Sequence, residues 1–218
     1  MTRHETTSQI APYENVRTGM QTGDLVLFHG LDLESEIIEL FEHSIWSHVG
    51  MVVRMPCLDY PLLWESTPLH YLIDPFLQKT KSGPRLVSLD DRLVVSLEKG
   101  LYNRFMVRRL EVNRSKDMFN ALSDFISEVH LMTFPKEWIV LRDFLEGRLL
   151  KSGPGVRRSF YCSELVAETY MRMGLLPKTP PSNAYLPKDF ASRGQLPLQM
   201  GAKLGKDILI TKIGIGGV

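Results

Sequence analysis

The stretch that most constrains the fold of this chain is His48-Val-Gly-Met-Val-Val53, a β-branched apolar run of strand type. Tyr60-Pro-Leu-Leu-Trp-Glu-Ser66 reads as a second strand. The turn at 56–59 joins the two into a hairpin, in which Glu65 lies 17 residues after His48. Asp24-Leu-Val-Leu-Phe28 follows the turn signal Thr22-Gly23 and supplies a third strand. Residues 86–95 and 104–112 are two further candidate strands with Lys99-Gly100 turning between them. The expectation is a small antiparallel sheet.

Helical spacing takes over elsewhere. Leu33, Ile37, Leu40 and Phe41 mark one face of a helix over 32–43. Met118, Leu122, Phe125 and Val129 do the same over 116–129, with Ser115 as N-cap. Another helix is expected over 138–150, and Lys151-Ser-Gly-Pro-Gly155 breaks it. A strong helix then begins at Cys162, with Leu165, Val166, Thr169 and Met173 on its buried face and Gly174 as its stop. Pro187-Lys-Asp-Phe190 starts a short helix or turn, and 208–218 reads as a last strand or a loose tail. Residues 1–20 read as a flexible lead-in, and 21–218 as a single domain of α+β class, the sheet packed against helices.

Composition narrows the function classes. With 26 Lys and Arg against 25 Asp and Glu, the net charge is +1, so nothing suggests a nucleic-acid footprint. Arg104, Arg108 and Arg109 are the nearest approach to a basic cluster, and their place in a strand-like run suggests a solvated sheet edge. No apolar run reaches the ~18 residues that span a bilayer, and the N-terminus lacks a signal-peptide core. The expected location is therefore cytoplasmic, or outside the cell by a route that leaves no recognisable mark. Two cysteines, 105 residues apart, do not make a disulfide framework, and Cys57 reads as a free thiol in a turn. There is no Cys-x-x-Cys pair, so neither metal nor cofactor is expected.

Cys162 stands where a reactive thiol is useful. At a helix N-terminus, unpaired backbone N–H groups and the macrodipole favour a thiolate, and the same groups can receive a developing oxyanion. Its alternative is a buried, inert small residue. His48 opens a strand directly after Trp46-Ser47 and is the candidate base. Glu65, on the paired strand, is placed to fix its tautomer, whereas a strand glutamate is more commonly a solvated charge. Trp64 beside it is a candidate water shield.

These motifs, with Trp64-Glu-Ser66, Phe160-Tyr-Cys-Ser-Glu-Leu-Val166 and the closing Asn183-Ala-Tyr-Leu-Pro-Lys-Asp-Phe190, resemble the circularly permuted branch of the NlpC-type papain-like cysteine hydrolases, which includes the YiiX-like bacterial proteins. In that branch the strand histidine precedes the helix cysteine, and the order here is His48, Glu65, Cys162. The match covers about 22–66 and 158–192; the middle, 69–155, matches poorly and is expected to supply substrate walls. The resemblance implies a permuted papain-like fold with Cys162 as nucleophile, His48 as general base and Glu65 as orienting residue. The unpermuted cell-wall peptidases carry Asp before the nucleophile and Ser-Gly after it. Here Tyr161 and Ser163-Glu164 stand instead, so a peptidoglycan-stem specificity is not carried over. Tyr161 and Ser163 are candidates for contacts at the substrate or oxyanion, with packing of Tyr161 on the sheet as the alternative. Glu164 is read as a helix cap or the partner of a nearby base.

Three functions follow: an amidase or peptidase on peptide, isopeptide or peptidoglycan-like bonds, a lipid-directed acyl hydrolase or acyltransferase, and a non-catalytic binding module that keeps the fold.

Overall fold

The computed structural model describes residues 8–30, 45–133, 161–192 and 194–214. The helices expected over 32–43 and 138–150, the breaker at 151–155 and Phe160 lie outside them. The described chain is mixed α and β, organised by a seven-stranded sheet. Its strands are β1 (Gln9–Ala11), β2 (Leu25–Gly30), β3 (His48–Val53), β4 (Leu62–Thr67), β7 (Gly83–Ser88), β8 (Tyr102–Arg108) and β11 (Ile208–Ile210), in the order β1-β11-β8-β2-β3-β4-β7. The β1–β11 pair is parallel and every other pair in the sheet is antiparallel. Two short antiparallel pairs stand apart from it: β5 (Ile73–Asp74) with β6 (Lys79–Thr80), a local hairpin, and β9 (Leu110–Glu111) with β10 (Lys203–Leu204), joined across a long stretch of chain.

Period-two alternation divides the strand residues between two cores. Leu25, Leu27, Val49, Met51, Leu62, Trp64 and Leu86 face the first, against α3 (Lys116–Val129) and α4 (Cys162–Arg172). Val26, Phe28, Val52, Leu63 and Val87 face the second, against α1 (Tyr13–Arg17) and α2 (Leu89–Glu98). The central strands are therefore buried on both faces, which is why 48–53 reads as a near-continuous apolar run.

Local chemistry sets the helix ends. Ser115 Oγ accepts the Met118 N–H, and Met118, Leu122, Phe125 and Val129 are all buried, as their spacing requires. α4 stops in a Schellman motif: Gly174 has φ +77°, its N–H donates to Met171 O, and the Leu175 N–H donates to Tyr170 O.

Four expectations are corrected. The strand expected over 86–95 ends at Ser88, and α2 begins there. Ser88 Oγ accepts the Asp91 N–H, the acidic Asp90 and Asp91 sit at the positive helix end, and Leu89 and Leu93 share a buried face. From Gln9 the expected lead-in is built into the fold, because β1 pairs with β11 and Tyr13 and Val16 enter the second core. Arg108 is not on a solvated edge: β8 lies inside the sheet, and the buried guanidinium donates to the carbonyls of Phe190, Leu204 and Gly205. The sheet is also larger than foreseen: β1, three residues long, carries too little periodicity to be read, and of the two readings of 208–218 the strand holds over Ile208–Ile210, where β11 joins β1 to β8. No helix among the described residues is long and apolar enough to cross a membrane.

Candidate active site

The first residues of β3 and α4 meet at the site. His48 pairs with Phe28 across β2–β3, and its side chain lies on the α2 face of the sheet. Its ring meets Phe28 edge-on at 5.1 Å and Tyr102 at 5.9 Å. Met51 pairs with Trp64 in β3–β4. One step along, Glu65 falls opposite Gly50, on the same face as His48 and within reach of it. The hairpin expected from the sequence thus forms, with β4 running over Leu62–Thr67.

Glu65 Oε2 accepts a hydrogen bond from His48 Nε2 at 2.7 Å. Cys162 is the other group acting on the imidazole, and together with Glu65 it favours the charged ring. With Nε2 engaged by the carboxylate, Nδ1 is the ring nitrogen left for the thiol. His48 is 5% exposed, so water does not compete for the bond to Glu65.

Glu65 is fully buried, which excludes the reading of a solvated strand charge. Arg85 donates Nε and Nη2 to Oε1 at 3.1 and 2.7 Å. Arg92 Nε spans both oxygens, at 3.0 Å from Oε1 and 3.1 Å from Oε2. Burial pushes the Glu65 carboxyl up, but Arg92 and Arg85, followed by His48, outweigh it and hold the group well below the usual carboxylate range. Burial likewise pulls His48 down, and Cys162 and then Glu65 outweigh it, holding the imidazolium above its ordinary value of 6.5.

Cys162 is half-buried at the first turn of α4. Tyr161 is the N-cap in extended backbone; its carbonyl accepts the Leu165 N–H, and its N–H donates to Glu164 Oε2 at 3.4 Å. Glu164 thus closes the helix start, one of the two roles foreseen for it. The backbone N–H groups of the first turn, at Cys162 and Ser163, have no partner within the helix, the arrangement an oxyanion requires. Tyr161 and Ser163 flank the thiol, Tyr161 half-buried and Ser163 buried.

Trp64 does not shield the pair. Its side chain lies on the opposite face, where the indole N–H donates to Thr169 Oγ1 of α4 at 3.1 Å. Phe28 and Tyr102 do the shielding. The arginines went unseen in the sequence because Arg85 precedes, and Arg92 falls within, a segment read as one strand. The cap signal Ser88-x-x-Asp91 with Leu89 and Leu93 four apart was the available clue. Among the described residues, no group of three or more His, Cys, Asp or Glu side chains is placed to hold a metal ion.

Comparison with protein-family models and with curated proteins finds no match. Among solved structures, the crystal structure of the metalloprotein YiiX from Escherichia coli O157:H7 is similar at 23% identity, with a TM-score of 0.46. The likeness covers 71% of this chain and 66% of that one, just under two thirds of its length.

Proposed function

We propose that this chain is a thiol-dependent acyl hydrolase of the permuted papain-like type, with Cys162 as nucleophile, His48 as general base and Glu65 as the residue that orients His48. One observation carries the reading: the buried His48 ring donates to Glu65 at 2.7 Å, and Cys162 is near enough to favour the charged form of the same ring. The order nucleophile–base–orienter is what acyl transfer needs.

His48 Nδ1 takes the thiol proton, and the thiolate adds to the carbonyl carbon of an amide or ester. The first-turn N–H groups of α4 stabilise the tetrahedral oxyanion. As that intermediate collapses, the imidazolium returns its proton to the departing amine or alcohol, leaving a thioester on Cys162. Water, losing its proton to His48, then releases the acid and restores the thiol. The amide reading comes first. A lipid ester is the second, favoured by the exposed apolar side chains Tyr71, Ile73, Phe76 and Leu97 in the segment expected to form substrate walls.

Alkylation by iodoacetamide tests the couple without a known substrate. Cys57 is exposed and free, so the experiment uses a Cys57→Ser background. Cys162 is expected to react fast near neutral pH and to slow by about 10²–10⁴-fold in His48→Ala, the usual value of a positioned base. A Cys162 that reacts slowly, or at a rate indifferent to His48, overturns the proposal and leaves the binding-module reading in its place. Profiling with peptide and lipid electrophiles then separates amide from ester substrates.

A further inference from the structure

We propose that Arg92, supported by Arg85, is a positioning residue that sets the protonation balance of the His48–Cys162 couple through Glu65. The inference rests on the acyl-transfer reading above.

The carboxylate is saturated on the side away from the histidine. Oε1 accepts three N–H donors, two from Arg85 and one from Arg92, while Oε2 is shared between Arg92 and His48. A carboxylate so held stays anionic and cannot take the imidazole proton. It acts as a fixed acceptor. Both arginines are 1% exposed, so two guanidinium charges and one carboxylate leave a net charge of +1 buried behind the ring.

That residual charge reaches His48 with little screening. The Arg92 guanidinium carbon lies 4.9 Å from the Phe28 ring centre and 5.1 Å from that of Tyr102. The His48 ring lies against the same two side chains, at 5.1 and 5.9 Å. Besides the shared Glu65 oxygen, aromatic rings line the space between the two cations, where the effective dielectric is low. A lone glutamate in that position would lock a proton onto the imidazole. With the arginines present, the imidazolium is matched only when an anion forms at Cys162, so the proton stays exchangeable between Nδ1 and sulfur.

The other groups facing this cluster do not supply a second negative charge in the same place. Tyr102 of β8 packs on Arg92 and His48. Arg92 Nη1 donates to Ser96 Oγ on α2. Arg85 Nη1 donates to the Leu69 and Lys81 carbonyls. The Lys81 ammonium lies beyond, on the carbonyls of Pro84, His130 and Met132.

The experiment is a pair of pH titrations in the Cys57→Ser chain: the rate of Cys162 alkylation by iodoacetamide, and the His48 ring-proton NMR shift. Arg92→Gln removes one positive charge, so both midpoints should rise, by about one pH unit. Arg92→Lys keeps the charge and should bring them most of the way back. A merely structural role moves neither midpoint in a folded variant, and unmoved midpoints overturn the inference. Where Arg92→Gln does not fold, the unsubstituted protein decides: the Arg92 Nε–H resonance should show a titration step at the His48 midpoint, and its absence overturns the inference equally. His48→Asn keeps the two claims apart. If it leaves Cys162 alkylation unchanged, the acyl-transfer reading fails, whatever Arg92 does.

Discussion

Replacing Glu65 by Gln removes the charge on which the buried cluster depends while keeping its shape. Each close carboxylate–guanidinium pair is worth about 4 kcal/mol gross at an effective dielectric near 20, most of it offset by desolvation. What the substitution exposes is the other side of that balance, since two guanidinium groups, each 1% exposed, would be left without a counter-charge. Breaking a buried pair in this way costs about 3–5 kcal/mol. The amide has one acceptor oxygen, and Oε1, with three donors against two at Oε2, is the position it must fill. Its NH2 group then faces His48 Nε2. A donor there selects the opposite tautomer, with the proton on Nδ1, and His48 can no longer accept from Cys162. Alkylation of Cys162 should therefore slow by about 10²–10⁴-fold without vanishing.

Stability is measured by urea unfolding, followed through the fluorescence of the buried Trp64. The sign of its pH dependence follows from Glu65. A carboxyl depressed below its ordinary value of 4.5 contributes fully above that pH and loses the contribution as pH falls through the folded value. The protein should lose this term at up to about 1.4 kcal/mol per pH unit, whereas Glu65→Gln lacks it. The gap between the two should then be widest near neutrality and narrow below pH 4.5. A gap under about 1 kcal/mol at neutral pH, or one that does not change on acidification, refutes the clamp as drawn.

Thr169→Val deprives the fully buried Trp64 indole N–H of its acceptor and should cost about 1–3 kcal/mol in the same unfolding assay, with Cys162 alkylation unaffected. Burial lowers the Lys81 ammonium to about 8, with Lys79 and Arg85 adding to the effect and Asp74 opposing it. Because the unfolded chain holds that proton up to 10.5, the stability of the protein relative to Lys81→Met should rise between pH 8 and 10.5. A difference that is flat or falls across that window contradicts the assignment.

What the sequence disclosed, and what it withheld, divides along the range of the interactions concerned. α3 was legible to its last residue because its cap, its apolar spacing and its length are local properties, and the helix at Cys162 was legible for the same reason. The hairpin that brings His48 to Glu65 was legible because the turn and both strands lie within about 20 residues. β1 and β11 pair from opposite ends of the chain, and no local pattern in three residues announces such a partner. The arginines were hidden twice over. Leu-Val-Val in α2 has strand propensity, and tertiary packing of Leu89 and Leu93 on the sheet overrode it. More fundamentally, the burial of Glu65 follows only once its partners are known. A lone carboxylate at that position is cheaper in water, and three cationic or hydrogen-bonding groups from β3, β7 and α2 must converge before the interior becomes tolerable. Local pattern can nominate a nucleophile and its base. The charge state in which they would work would be set by Arg85 and Arg92, residues from the segment where the resemblance is poor, and that is where changes in reactivity among related chains should be sought first.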